Sequence, residues 1–555
     1  MRSDFRIRVR PHWVFGLLFA FALIAPSAQV LAATLAQALG TRIERGVDAT
    51  GAANQAAERA AIGAFYDARA MAPLWVEDRA PGARARALAD LLGAAELDGL
   101  DPRDYHVPAI RSLIDAGAAD AEALADLELH LTSGLIRFAS DLGQGRTAPH
   151  IADPKLYIFR DRVDPAAVLR QAAAATDLAT LIEQYRPQNP RYLRLKQALA
   201  EYRAMALRGG WPAIPDGPAL KPDMRDPRVP MLRDRLRLWG DLKGDGEAGA
   251  EAADPEVYSA DLVAAVTRMQ WRHGLETDGV VGAATLKALN VSAEDRVRQL
   301  VLNMERRRWL PDNLGQRHIF VNLADFTLKL VDEPKTLLDM PVVVGKTYHM
   351  TPIFTADMTY LEINPHWNVP PSIARKEILP KLRQDVSYLA RNKFTLFSDW
   401  GENAHVVDPA TVDWALAANK GFPFKLRQEP GEGNALGRIK FMLPNHFNVY
   451  LHDTPAKSLF KKSTRTYSHG CIRVSDPLTL AEAVLSGHTG WTRDKIAQAM
   501  DSGERRVVTL ARPLPVHIGY LTAFANKDGS VHFRDDIYGR DLRLARVLLD
   551  RTALN

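Results

Sequence analysis

Cysteine is almost absent from this chain: 555 residues contain one, Cys471. No disulfide can form within the chain, so its stability rests on packing and polar contacts alone. A lone cysteine is an inert buried thiol, an intermolecular link or a reactive nucleophile, and its neighbours must decide which. A dense basic patch is also missing. The net charge of +5 is spread along the sequence, which argues against a nucleic-acid binder and leaves only weak attraction to anionic surfaces. His106, His130 and His150 are too scattered to suggest a metal site. Apolar content of 47% and charged content of 25% are ordinary for a soluble globular protein. The length exceeds what one core supports, so two to four domains are expected.

Long apolar runs are lacking except at the start. Arg2, Arg6, Arg8 and Arg10 precede an apolar run from Trp13 to Ala25, and "PSAQVLAAT" follows. This reads as a secretory signal cleaved near Ala32 or Ala33, or as an uncleaved membrane anchor, over residues 1–33. Either way the chain is exported. Residues 34–226 are rich in alanine and leucine; Leu127, Leu131, Leu135 and Phe138 recur at helical steps, predicting a helical scaffold domain.

Residues 227–295 form a smaller helical unit. Leu262, Val266 and Met269 share one helix face, Ser259 or Asp261 can cap its start, and Gly274 suits its end. Gln270, His273, Gly274, Leu275, Asp278, Gly279, Gly282 and Thr285 make this unit similar to the small helical peptidoglycan-binding domain. Glycan binding is what that resemblance implies; the residues themselves mostly fix turns and packing.

A connecting helix is expected over 296–315. Beyond it "HIFVNLADFTLKLVD" alternates apolar and polar residues about a turn, the pattern of a β-hairpin. "TYLEINP", "FNVYLHD" and "RVVTL" predict further strands. A segment of about 372–437, rich in charge, proline and glycine, is too long for a simple loop and reads as a partly helical flap over one edge of the sheet. Asp476-Pro477 fits the start of a helix. Residues 316–512 are expected as one mainly-β domain and 513–555 as a C-terminal β extension. The fold class is multidomain α+β.

The chemistry gathers in "YSHGCIRV". A free thiol is only a few per cent ionised at neutral pH, and a nearby histidine can take its proton. The two-residue period of "NVYLHD" puts Tyr450 and His452 on one strand face, making His452 the candidate base and Tyr450 a neighbouring donor. His469 is an alternative base or a pocket-shaping donor. Gly470 tolerates close substrate approach, and the N–H groups of Gly470 and Cys471 can face an oxyanion.

His452, fifteen residues, then Ser468-His469-Gly470-Cys471-Ile472-Arg473 is similar to the signature of the L,D-transpeptidases, the YkuD-type cysteine enzymes of bacterial cell walls. "VVVGKTYHMTPIF" and "NPHWNVPPSIARKEILPK" extend the resemblance, and the domain order resembles the large periplasmic, YcbB-like type. The resemblance implies Cys471 as nucleophile, His452 as base, the backbone carbonyl of Asp453 as third member of the triad, and oxyanion donors at Gly470, Cys471 and Tyr450. Many members carry asparagine where this chain has Arg473; that arginine grips a substrate carboxylate or makes a structural ion pair. Ser468, His469 and Trp367 are further candidates for substrate contact, although an aromatic beside prolines, as Trp367 is, more often serves packing. The implied reaction is transfer of an acyl group from a peptidoglycan tetrapeptide stem, with release of D-alanine, to an amine, giving a 3→3 cross-link; the resemblance implies no metal or organic cofactor for it. Peptidoglycan stem peptides and glycan are the implied partners, carbapenem β-lactams the implied covalent inhibitors, and the periplasm the implied location. Hydrolysis as an L,D-carboxypeptidase, a non-catalytic wall-binding scaffold and a periplasmic cysteine peptidase are the alternatives.

Overall fold

The computed structural model describes residues 28–45, 53–117, 120–158, 160–242, 254–419 and 421–549. The expected targeting signal falls largely on residues 1–27, outside the described residues. Among those described, no helix is long and apolar enough to cross a membrane.

The N-terminal region is helical, as the alanine and leucine spacing predicts. Its centre is the helix Ala121–Gln144, started by Asp120, whose carboxylate accepts from Ala123 N at 2.8 Å. Leu127, Leu131, Leu135 and Phe138 are all buried along it. In the next unit Leu262, Val266 and Met269 of the helix Ala260–Arg272 are fully buried. Ser259 stands at the cap position, but no side-chain cap bond forms there; its hydroxyl is turned to Asp261. Gln270 accepts from Gly279 N at 2.9 Å and donates to Asp278 at 2.8 Å, so the motif residues do fix the turn. The connecting helix runs Ala293–Trp309, starting earlier than expected because Ser292 caps it through Asp295 N at 3.0 Å.

The C-terminal domain is a closed barrel. Strands Arg317–Asn322, Thr327–Asp332 and Lys335–Gly345 form a meander. Ile472–Val474, Leu451–His452 and Ile439–Met442 continue it on one side, Arg506–Gly519 and Ile353–Ile363 on the other. Tyr360 to Ile363 then pair with Ile439–Met442 and close the ring. A flap over an edge is therefore corrected: closure removes the edges. Alternate residues Ile319, Val321, Leu328, Leu330, Leu361, Ile363, Phe441, Leu451, Ile472 and Val474 fill the interior. Each buried apolar side chain of this size contributes about 1.5–3 kcal/mol. The helical region adds a short strand, Leu156–Tyr157, parallel to Ile353–Phe354.

The flap has a core of its own, with Val369, Ile378, Leu382, Leu396, Trp414 and Leu426 buried. Its small sheet joins Trp367–Asn368, Lys425–Gln428 and Phe394–Phe397. The C-terminal extension is not purely β. Strand Arg506–Gly519 runs through the expected 512/513 division, and after the hairpin Ala523–Ala525/Val531–Phe533 the last described element is the helix Arg540–Leu549. Arg506–Gly519 pairs with Ile353–Ile363 on both sides of that position, with a shift of register between Thr509 and Leu514.

Candidate active site

Leu451–His452 runs parallel to Ile472–Val474, with Leu451 opposite Ile472 and His452 opposite Arg473. Leu451, Ile472 and Val474 point into the barrel. Period two then sends Tyr450, His452, Cys471 and Arg473 to the outer face. The register extends the row: Glu362 lies opposite Lys440, and Lys440 opposite His452. Arg505 pairs with Glu362 at 3.1 Å, and the Lys440 ammonium lies 4.4 Å from the Tyr450 ring centroid.

His452 is buried, and its Nδ1 lies 2.5 Å from the Asp453 carbonyl oxygen. A carbonyl only accepts, so Nδ1 carries the hydrogen and Nε2 keeps its lone pair. The Asp453 carboxylate is committed elsewhere, to Arg438 N at 2.8 Å and Lys457 Nζ at 2.6 Å. Gly437, at φ +63°, faces that carboxylate so closely that a Cβ would displace it. Burial, then the charges of Arg473 and Lys440, push the His452 imidazole down to about 3.

The Cys471 thiol is half-buried and meets the Asn448 carbonyl at 3.7 Å. Burial pushes it up, against the lowering influence of Tyr450, Lys440 and Arg473. A sulfur–imidazole hydrogen bond is not among the contacts formed by the described residues in this state. The resting pair is therefore a neutral thiol and a neutral imidazole.

Two sequence expectations change at the turn. Gly470, at φ +120°, occupies backbone space that favours glycine. Its N–H, however, donates to Ser468 Oγ at 3.1 Å, and that hydroxyl in turn donates to the Cys471 carbonyl at 2.5 Å. Gly470 N–H thus faces inward, and buried Ser468 shapes the loop rather than facing a substrate. The Cys471 N–H has no hydrogen-bond partner among the described residues. Trp367 takes the packing alternative: it lies in the flap, 6.3 Å from the Phe394 ring. His469 meets the flap through Glu377, 2.5 Å from its Nε2.

Arg473 makes no ion pair among the described residues, and its Nε is buried without a partner. The structural-ion-pair alternative is therefore not realised. Sequence reasoning missed Lys440, although the alternation in "IKFM" already turns it outward. It also missed the support beneath the turn. Thr351 Oγ1 donates to the Gly470 carbonyl at 2.9 Å and accepts from Gly345 N at 3.0 Å. Arg540 Nη2 donates to the Thr351 carbonyl at 3.1 Å, and Arg540 Nε pairs with Asp153 at 2.7 Å. No group of metal-ligating side chains occurs among the described residues.

The buried histidines make stability depend on pH. Burial, followed by Arg534, also pushes His532 down to about 3. Both lie below a free imidazole near 6.5, so the unfolded chain binds the extra protons first. Stability is complete above pH about 6.5 and falls as pH drops toward 3, by up to about 1.4 kcal/mol per pH unit for each histidine. Thermal melting at pH 7 and pH 5 should show the loss, and the double variant His452→Gln/His532→Gln should show a shallower one. An identical pH dependence would contradict this account.

A multidomain chain, two helical units before a barrel with a cysteine on an outer turn shaped by a glycine, is the class that this architecture defines. Residues 316–507 match the family model described as "L,D-transpeptidase catalytic domain", residues 225–289 "Putative peptidoglycan binding domain", and residues 60–199 "Scaffold domain". A "Putative L,D-transpeptidase" from Haemophilus influenzae is 33% identical over 262 residues, covering 47% of this chain and 52% of that protein. The chain thus spans about half the length of this curated relative. A solved "Crystal structure of L,D-transpeptidase (Yku)" from Stackebrandtia nassauensis is 13% identical with a TM-score of 0.21, covering 55% of this chain and 96% of the other. An L,D-transpeptidase from Mycobacterium smegmatis is likewise 13% identical with a TM-score of 0.18, covering 37% and 58%. The family matches support a YkuD-type L,D-transpeptidase catalytic domain preceded by scaffold and peptidoglycan-binding domains.

Proposed function

We propose that this chain is an extracytoplasmic, periplasmic L,D-transpeptidase acting on peptidoglycan. The observation that carries the reading is Cys471 on one outer face with the Tyr450 hydroxyl and with Arg473, which has no ion-pair partner among the described residues. In the first step the thiol leaves the Asn448 carbonyl and passes its proton to His452 Nε2. The sulfur attacks the carbonyl carbon between the third stem residue and the terminal D-alanine. The C–N bond breaks, the imidazolium returns the proton to the departing D-alanine amine, and a thioester remains. An amine of a neighbouring stem then attacks the thioester, losing a proton to His452. The 3→3 amide forms and the thiol is restored.

The Asp453 carbonyl keeps the imidazole in the productive tautomer. The Cys471 N–H and the Tyr450 hydroxyl stabilise the oxyanion, and Arg473 holds the D-alanine carboxylate. The flap touching His469 through Glu377 limits water, which would otherwise divert the thioester to hydrolysis. A carbapenem presents an amide carbonyl of the same kind, activated by the strain of its β-lactam ring; the same sulfur attacks it, the ring C–N bond opens, and the acyl group stays on Cys471 as a thioester. N-terminal residues 1–33 supply the export signal or anchor.

The test is a purified-protein assay with a disaccharide-tetrapeptide, following D-alanine and dimer formation by mass spectrometry. Free D-alanine together with a 3→3 dimer in excess of free tripeptide is expected. Neither product, with no acyl adduct on the protein, would overturn the reading. Tyr450→Phe removes one oxyanion donor and should slow acylation about 10²–10³-fold. A rate unchanged in stopped-flow acylation would assign the hydroxyl no such role.

A further inference from the structure

A cavity of about 570 Å³ lies away from Cys471, between the helices Pro190–Leu207 and Ala293–Trp309, the first barrel strands and the C-terminal hairpin. It shares no lining residue with the site described above. Arg191, Arg194 and Arg307 project into it, and Trp271 stands at its rim, 52% exposed. A second hollow of about 380 Å³ shares Trp271 and Phe524 with it, so the two are neighbours.

Its charges do not balance internally. Arg191 pairs with Glu333 at 2.8 Å, and Arg194 donates to the Ala525 carbonyl at 3.2 Å. The acids are engaged as well: Asp325 with Arg534 at 2.5 Å, Asp339 with Lys329 at 3.1 Å, and Asp528 with the Ser530 hydroxyl at 2.6 Å. Arg307 alone among the three arginines has neither ion pair nor hydrogen bond to its guanidinium among the described residues. Its Nε is sealed from solvent without a partner. Only the Phe320 ring faces it, at 5.8 Å. Burial, then the charges of Arg191 and Arg194, push Arg307 down to about 9. A partly buried guanidinium whose Nε is sealed off without an acid is costly unless a ligand supplies one.

Trp271 adds the second half. Its indole stands edge-on to His532 at 4.5 Å and is half-exposed. A rigid, exposed aromatic at the mouth of a cavity this large is a platform for the apolar face of a sugar ring.

We propose that this cavity binds a carboxylate-bearing saccharide, its acid on Arg307 and its ring against Trp271, as a docking site apart from the reaction centre. Identifying the ligand as a cell-wall saccharide rests on the function proposed above; the acid-binding arginine does not. Calorimetric titration of the full chain would use N-acetylglucosaminyl-N-acetylmuramic acid, with neutral diacetylchitobiose as the same-sized sugar without the acid. The acidic disaccharide should bind at least tenfold more tightly. Arg307→Gln should erase that difference, Arg307→Lys should keep part of it, and Trp271→Ala should weaken both sugars. Equal binding of the two sugars by the wild type would overturn the proposal, as would a preference that survives Arg307→Gln. Carbapenem acylation of the same wild-type preparation separates the two readings. A protein that acylates but ignores the acidic sugar overturns this site alone; one that binds it but never acylates overturns the proposed reaction alone.

Discussion

Cys471→Ala should fold like the parent yet take up no carbapenem. The thiol lies on the outer face, where it meets the Asn448 carbonyl at 3.7 Å and the Tyr450 hydroxyl. Removing it opens no cavity in the barrel, so thermal stability should stay within about 1 kcal/mol of the parent. The chemical effect is total, because no other cysteine exists to substitute. Intact-mass spectrometry after incubation with meropenem should show one adduct on the parent and none on the variant. An adduct that persists on Cys471→Ala would place the nucleophile elsewhere and end the proposed mechanism. His452→Gln provides the graded companion. The sulfur remains, but the thiol, already pushed up by burial, loses its base. Acylation should fall about 10²–10⁴-fold, the usual contribution of a positioned base. The loss should shrink as pH rises toward the thiol's own ionisation, where hydroxide replaces the imidazole. A pH-independent loss would instead mean that His452 acts only by packing.

Much of this site is local in sequence and could be read there. Alternation alone turns Tyr450, His452, Cys471 and Arg473 outward, because Leu451, Ile472 and Val474 must turn inward. The meander from Arg317 to Gly345 follows from the same period. Barrel closure does not, since Tyr360 to Ile363 meet Ile439–Met442 across the whole flap. Short polar geometry was also hidden. The sequence offers Gly470 N–H as an oxyanion donor, but Ser468, two residues away, takes it in a local hydroxyl turn. For Arg473 the position was legible while its unpaired state was not, since lack of a partner depends on every element packed nearby. For Trp367 the neighbouring prolines already favour packing over a pocket role; what the sequence hides is the separate core of the flap that it packs against. The supports of the turn were least legible: Asp153, Thr351 and Arg540 are each separated by more than a hundred residues and carry no motif.

Arg540→Met should therefore damage a site that it does not touch. Arg540 and Asp153 are both buried, and the guanidinium also donates to the Thr351 carbonyl. Against the opposing pull of burial, Arg540 holds the Asp153 carboxyl below its ordinary value. Methionine fills similar volume but leaves that carboxylate without its buried partner, a change that costs about 3–5 kcal/mol. Arg543, 3.1 Å from Asp153, covers part of the deficit, so the lower end of that range is expected. Thr351 then loses one anchor, and through its 2.9 Å bond to the Gly470 carbonyl the turn holding Cys471 loosens. Melting should drop by several degrees, and acylation measured well below the melting temperature should slow about tenfold or more, as misplacement of a nucleophile does. Asp153→Asn combined with Arg540→Met removes both charges and should recover stability relative to Arg540→Met alone, because no carboxylate is left stranded. It should not recover the acylation rate, since the Thr351 carbonyl still lacks its donor. If both quantities recover together, the effect is one of stability alone; if the rate stays low while stability returns, a helix at the end of the chain and a residue of the helical region jointly position the reacting sulfur.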